Sequence, residues 1–372
     1  MLVELAAAEY DSVQALFASV QRHQMFCAGV LSRLYPGRVF VDNRENPRSG
    51  LVAKDGMWWF LAGDPHNAAF NAAFNTALYD RTITGPKGWG GMLVCDSAAW
   101  DSAVPALYAP RTPIRTHRLH YICDSLTFDP LAFVPDGFQI RLIDPSLADS
   151  GVEIDGSAAK ILQLRQDSPD PDLRAVGVVA LHGGRIVAHA VIDTIVQGGG
   201  DIGIYTDGAF RRRGLALATS AALIAYALSH GLHTVHWDVE SFNAGSIRTA
   251  ERLGLRLISQ HDMLNFVLDP VIHEVNRAWS SFDAGHYEQA LAVCREHIGA
   301  GDPPAHPHFH YVMARCLADT GRVDEAIEAL SQAAQAGWDS PGEALNDFPA
   351  LAENPLWDGI VAQMETNTQP SA

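Results

Sequence analysis

The chain has 372 residues, 48% hydrophobic and 19% charged, with a formal net charge of −17. That length allows two or three domains with real cores and excludes a disordered or low-complexity protein. So acidic a chain lacks the basic face that a nucleic-acid backbone demands, and no apolar run reaches membrane-spanning length.

Acidity is compatible with attraction of cationic amines, although it is also ordinary in soluble proteins. The five cysteines (Cys27, Cys95, Cys123, Cys294 and Cys316) are scattered, with no C-x-x-C pair. They read as reduced thiols in a cytoplasmic protein, neither a disulfide framework nor a zinc site, and no metal is expected. Met1-Leu-Val-Glu-Leu5 carries no basic region ahead of an apolar stretch, so no targeting segment is expected.

The first block covers residues 1–135. Its pattern predicts helices over Val13 to Gln24 and Cys27 to Leu34, then a strand at Arg38 to Asp42. Gly50 to Ala53 and Met57 to Ala62 read as a strand pair across Lys54-Asp55-Gly56. Asp64 is placed to cap a helix from Pro65 to Asp80, whose apolar stripe includes Phe70, Ala73, Phe74 and Leu78. A strand at Gly91 to Cys95, a helix at Ser97 to Leu107 and a strand at Arg115 to Cys123 complete the block.

The second block, 136–268, opens with a strand at Phe138 to Leu142 and a helix at Ser157 to Arg165. Pro169-Asp-Pro-Asp172 reads as an exposed loop, and Ala175 to Leu181 pairs with Arg185 to Ile195. Gly198-Gly-Gly200 is followed by no helix, so it reads as a flexible turn rather than a phosphate loop. Next comes a buried strand from Asp201, then Arg211-x-x-Gly214-x-Ala216 opening an apolar helix from Leu217 to Leu228. A helix start holds amides without internal partners and carries partial positive charge. Gly214 and Ala216, on either side of Leu215, put little bulk there, and Arg211, Arg212 and Arg213 add charge, so the stretch suits a pyrophosphate. Thr234 to Val239 alternates like a strand, Asn243-Ala-Gly-Ser246 precedes a helix at Ile247 to Leu253, and Leu255 to Ile258 is the last strand.

This succession of strand, R-x-x-G-x-A, helix, strand, N-x-x-S and helix resembles the core of the GNAT superfamily of N-acetyltransferases. The resemblance implies a GNAT-fold α/β mixed sheet with flanking helices, and acetyl-CoA as cosubstrate. It implies that Arg211 to Ala216 hold the pyrophosphate and that the backbone of Ile204, Tyr205 and Thr206 pairs with the pantetheine arm. Asn243 then caps the next helix beside the cofactor, with Ser246 following. The matching carboxylate at the start of the cofactor strand is Asp201, the first choice of base. It is shorter than the usual Glu, so a bridging water is expected. Asp238 and Glu240 are rivals, with Glu240 ranked second. A backbone N–H near Tyr205 would stabilise the oxyanion. Many relatives place a tyrosine acid seven residues after the Asn, but here that residue is Ala250, leaving Tyr205, Ser246 or solvent to return a proton.

The first block repeats the order of the second without an R-x-x-G-x-A turn. It reads either as a degenerate GNAT-like half or as a packed α/β cap. Pro36 to Asp42, Asn46 to Leu51 and Leu61 to Asp64 resemble the amino-terminal region of the acetyltransferase family that includes zwittermicin A self-resistance. That resemblance implies a small-molecule amine acceptor, an antibiotic or a metabolite.

The third block, 269–372, contains a repeat: Ala278, Gly285, Tyr287 and Ala290 recur as Ala314, Gly321, Val323 and Ala326, each 36 residues on. It resembles tetratricopeptide repeats, an all-α helical-repeat domain in which small residues let paired helices approach. Asp302-Pro303-Pro304 and Pro307 break the linker, and the tail around Leu351 and Trp357 is expected to add a capping helix. His306-x-His308-x-His310 reads as an exposed helix start. Two other functions stay open: peptide acetylation with the repeats docking the substrate, and a non-catalytic CoA-binding scaffold.

Overall fold

The computed structural model describes residues 2–21, 24–54, 56–126, 132, 134–166, 174–299 and 306–368. The expected loop at Pro169 to Asp172 and the linker prolines Pro303 and Pro304 lie outside the described residues. The chain divides into two compact units, 1–266 and 267–372.

The first unit is built on one twelve-stranded sheet. Its first six strands are β1 (Val3–Glu4), β2 (Arg38–Val41), β3 (Ser49–Lys54), β4 (Trp58–Gly63), β5 (Gly90–Cys95) and β6 (Ile114–Cys123). The remaining six are β7 (Gln139–Leu142), β8 (Val176–His182), β9 (Arg185–Val196), β10 (Gly199–Thr206), β11 (Thr234–Glu240) and β12 (Arg256–Val267). Across the sheet they run β1-β2-β3-β4-β5-β12-β6-β11-β10-β9-β8-β7.

This order is a repeat with exchanged ends. β1 to β4 form an antiparallel meander and β5 joins β4 in parallel. β7 to β10 repeat the meander and β11 joins β10 in parallel. Beyond each fifth strand the sheet continues with the other half's last strand: β12 follows β5, and β6 follows β11. β6 and β12 pair antiparallel at the centre, from Ile114↔Asn265 to Ile122↔Arg256. The two α/β blocks expected from the sequence therefore share one sheet.

Each parallel pair is joined by a crossover helix, Ala68–Tyr79 in the first half and Leu215–Ser229 in the second. In the second, Leu215, Leu217, Leu223 and Ile224 are fully or almost fully buried. Burying each such side chain contributes about 1.5–3 kcal/mol, which anchors the helix and fixes where its N-terminus points.

Several local expectations are corrected. Val13 to Gln24 is not one helix: a 3-10 helix covers Ala7–Val13 and a short α-helix Ala18–Gln21. Asp64 does not cap the first crossover helix. Asn67 does, accepting from the Phe70 amide at 3.2 Å, while Asp64 accepts from the His66 amide and pairs with Arg48. Ser97 to Leu107 is split into a 3-10 helix (Ala98–Ser102) and an α-helix (Val104–Tyr108), with Pro105 in the first turn of the second piece. Of the three glycines, Gly198 turns at φ 78° but Gly199 and Gly200 already belong to β10. A Cβ on Gly200 would stand 2.7 Å from both Ile192 and Leu232, so close packing, not flexibility, calls for glycine there.

The second unit is all helical. Pro270–Asp283 pairs with Tyr287–Ile298, and Pro307–Asp319 with Val323–Gln335. The repeated alanines Ala278, Ala290, Ala314 and Ala326 are completely buried, and Gly285 and Gly321 make the turns at φ 75° and 77°. Trp357–Asn367 is the expected capping helix; Asn367 Nδ2 donates to the carbonyls of Ala334 and Trp338, both at 2.8 Å. His306 caps its own helix, but this start is partly buried rather than exposed as expected, and burial lowers the pKa values of His308 and His310.

Candidate active site

β10 and β11 are paired only over Gly199↔Thr234, Gly200↔Val235 and Asp201↔His236. β10 continues to Thr206 against β9, and β11 continues to Glu240 against β6. Beyond Asp201 the two parallel strands are therefore no longer partners, and the sheet forks. The register of β10 with β9 shifts between Asp201 and Ile202, a bulge that turns β10 at that point. The first half has no such fork: β4 and β5 pair from Trp58↔Met92 to Leu61↔Cys95. Asp96 then closes the end, its amide donating to Leu61 and its carboxylate accepting from the Gly63 amide.

Ile204, Tyr205 and Thr206 lie where β10 has left β11 and pairs with β9 alone, and Tyr205 is 53% exposed with its ring stacked on His189. At the end of that strand a 3-10 turn at Gly208–Phe210 leads into Arg211, Arg212 and Arg213, all exposed. Arg212 is left-handed at φ 64° and Gly214 at φ 82°. Gly214 is the N-cap of the Leu215–Ser229 helix and makes no side-chain cap. A Cβ there would meet nothing nearer than Pro135 Cγ at 4.0 Å, so the space above Gly214 is open. The first helical amides, Leu215, Ala216 and Leu217, have no acceptor within the helix.

Asn243 and Ser246 stand beyond the far end of β11. The Asn243 side chain accepts from the Ser246 amide at 3.1 Å, capping the Ala244–Arg252 helix as expected. Ser246 Oγ in turn accepts from Trp237 Nε1 at 3.0 Å, which ties the helix to β11. Ala250, where a tyrosine was the family expectation, is fully buried in the core beneath the crossover helix.

The candidate carboxylates are not equivalent. Asp238 and Glu240 both accept from Arg118, which the sequence reading had not singled out. Among the described residues Asp201 has no such partner, and its carboxyl is pushed up to about 8. Desolvation is the largest cause, followed by the charges of Asp238 and Asp193; Arg118 and Lys54 oppose them. Cys294 and Cys316, in the helical unit, are pushed up to about 12 by burial, which suits inert thiols. Among the described residues no group of three or more His, Cys, Asp or Glu is placed to hold a metal ion.

The family model of GNAT acetyltransferases matches residues 14–264, both halves of the sheet. The chain belongs to the GNAT acetyltransferase family. A tetratricopeptide-repeat model matches residues 275–341. An uncharacterized N-acetyltransferase of Bacillus subtilis strain 168, YdfB, is 23% identical over 262 residues, 70% of this chain and 97% of that protein. Among solved structures, a GCN5-related N-acetyltransferase-like protein of Streptococcus suis is 23% identical. The match covers 70% of this chain and 98% of that one, with a TM-score of 0.49. A GCN5-related N-acetyltransferase of Sphaerobacter thermophilus is 16% identical over 72% and 96%, with a TM-score of 0.48. Arg118 stands beside the fork of the second half because β6 is exchanged into it.

No described helix is long and apolar enough to cross a membrane. What the sequence reading missed is the contribution of β6. Thr116, Arg118 and His120 alternate as in any half-buried strand, and nothing local says which strand they will face.

Proposed function

We propose that the fork holds acetyl-CoA and that the chain acetylates a primary amine of a small molecule, an antibiotic or related metabolite. The observation that supports this most is the parting of β10 from β11 straight after Asp201, opening toward an uncapped, arginine-flanked helix start. The amides of Leu215 and Ala216, with Arg211, Arg212, Arg213 and the open space over Gly214, suit a diphosphate. The backbone of Ile204, Tyr205 and Thr206, paired with β9 but not with β11, suits an extended arm with amides of its own, and Asn243 and Ser246 mark the other wall. When bound, acetyl-CoA supplies an activated acetyl thioester.

The chain's own residues then manage protons. Asp201, with a carboxyl at about 8, takes the proton given up by the amine, through a water where the short side chain falls short. A backbone amide near Tyr205 donates to the thioester carbonyl. Tyr205 or solvent returns a proton to the sulfur, and Glu240, held by Arg118, is the weaker candidate for base.

The small-molecule acceptor rests on the resemblance of Pro36 to Asp42, Asn46 to Leu51 and Leu61 to Asp64 to the zwittermicin-resistance family. Peptide acetylation draws support from the repeat match over 275–341. A scaffold that binds CoA without turnover draws support from the buried Ala250. A cytoplasmic setting, where acetyl-CoA is made, accords with the five free cysteines. The test is release of free thiol from acetyl-CoA across polyamines, aminoglycosides, amino acids and peptides. Release with small amines supports the proposal, release with peptides alone supports the second reading, and binding without release supports the third.

A further inference from the structure

Arg118 belongs by chain order to the half without a fork, yet β6 carries it into the sheet beside β11. Its side chain is only 11% exposed. Nε donates to the Asp238 carboxylate, Nη1 to Glu240 at 2.7 Å and Nη2 to the Asp238 carbonyl at 3.0 Å. One guanidinium thus serves two carboxylates and a carbonyl, which a lysine could not reproduce. On its other side Asp238 meets His261 Nε2 at 3.3 Å, and His261 in turn meets Gln24 at 3.2 Å.

We infer that Arg118 is a positioning residue for proton transfer at the fork: by engaging both β11 carboxylates it leaves Asp201 to accept the amine's proton. This rests on the acetyl-transfer reading above. The groups facing Asp201 come from every neighbouring element. Asp238 and its register partner His236 come from β11, Asp193 from β9, Arg118 from β6 and Lys54 from the end of β3. His120 on β6 stands behind His236 at 2.9 Å.

Removing Arg118 acts twice in one direction. It deletes a cation near Asp201, and it frees the negative charge of Asp238 and Glu240. Both changes favour protonated Asp201, so its titration moves to higher pH. A loss of packing alone would leave that titration in place.

The test is a carboxyl-carbon NMR titration of the full chain labelled at aspartate, with Asp201 assigned from Asp201→Asn. Arg118→Gln is expected to raise the Asp201 midpoint by roughly one pH unit, the effect of a unit charge at several ångströms in a partly solvated site. Arg118→Lys, which keeps the charge but cannot span both carboxylates, is expected to raise it by less. Asp238→Asn lowers it. An unchanged midpoint in a folded Arg118→Gln protein overturns the inference. Should that variant not fold, a midpoint that fails to fall in Asp238→Asn overturns it. Calorimetry with acetyl-CoA on the parent protein separates the two claims. Lost binding would remove the acetyl-transfer reading and leave the titration result standing.

Discussion

Asp201 on β10 and His236 on β11 are the last residues in register before these parallel strands part. The proposed base thus sits at the vertex of the fork, inside the sheet but next to its opening. Substitution of Asp201 by Asn keeps shape and removes the proposed base. The expected outcome is a loss of roughly 100-fold to 10,000-fold in kcat with acetyl-CoA affinity retained. Steady-state kinetics with a weakly basic amine acceptor, together with calorimetry, checks both parts.

The pH dependence follows from the same residue. A base that titrates at about 8 gives a kcat/KM that rises through that pH and then levels. The stability consequence has a definite sign. In the unfolded chain an aspartate ionises near ~4, so the stabilisation from keeping Asp201 protonated is complete below that pH. It is lost as pH rises toward about 8. Asp201→Asn should therefore gain in Tm over the parent protein from mildly acidic to mildly alkaline pH, with no further gain above. A Tm difference independent of pH across that window would contradict the shifted carboxyl.

Gly214 offers a second handle. At φ 82° with open space above it, a valine would pay for a left-handed backbone and fill the expected phosphate seat. Gly214→Val is expected to cost on the order of 1–2 kcal/mol in stability, read by denaturant unfolding, and to weaken CoA binding beyond that. Stability loss with unaltered binding would place the phosphate elsewhere.

Asn243 separates capping from cofactor contact. Asn243→Ala removes the acceptor for the Ser246 amide and is expected to cost about 1 kcal/mol. Asn243→Asp keeps an acceptor, so it should restore stability while placing negative charge on the far wall of the fork. Thermal melts and CoA titrations of the pair distinguish the two roles.

Much of the second half was legible because its signals are local. A glycine that must be left-handed, arginines beside a helix start and an Asn that caps its helix lie within a few residues of the features they determine. Local competition explains the failures: Asp64 lost the cap to Asn67, which stands nearer the first turn, and Pro105 divided a helix drawn as one. The exchange of β6 and β12 was hidden for a different reason. Alternation along a strand states which face is buried but not which strand lies alongside, and Arg118 entered the site through that pairing. The helical unit was readable because its alanines and glycines repeat in register.

The most direct test of the account is calorimetric titration of acetyl-CoA into the full chain and into Arg211→Glu. Arg211 is exposed at the turn, and its side chain donates from Nε to the Thr206 carbonyl at 3.3 Å. The account predicts a measurable Kd for the parent and a loss of at least about tenfold, ~1.4 kcal/mol, for the variant. Equal affinities, or no binding by the parent chain, would contradict it.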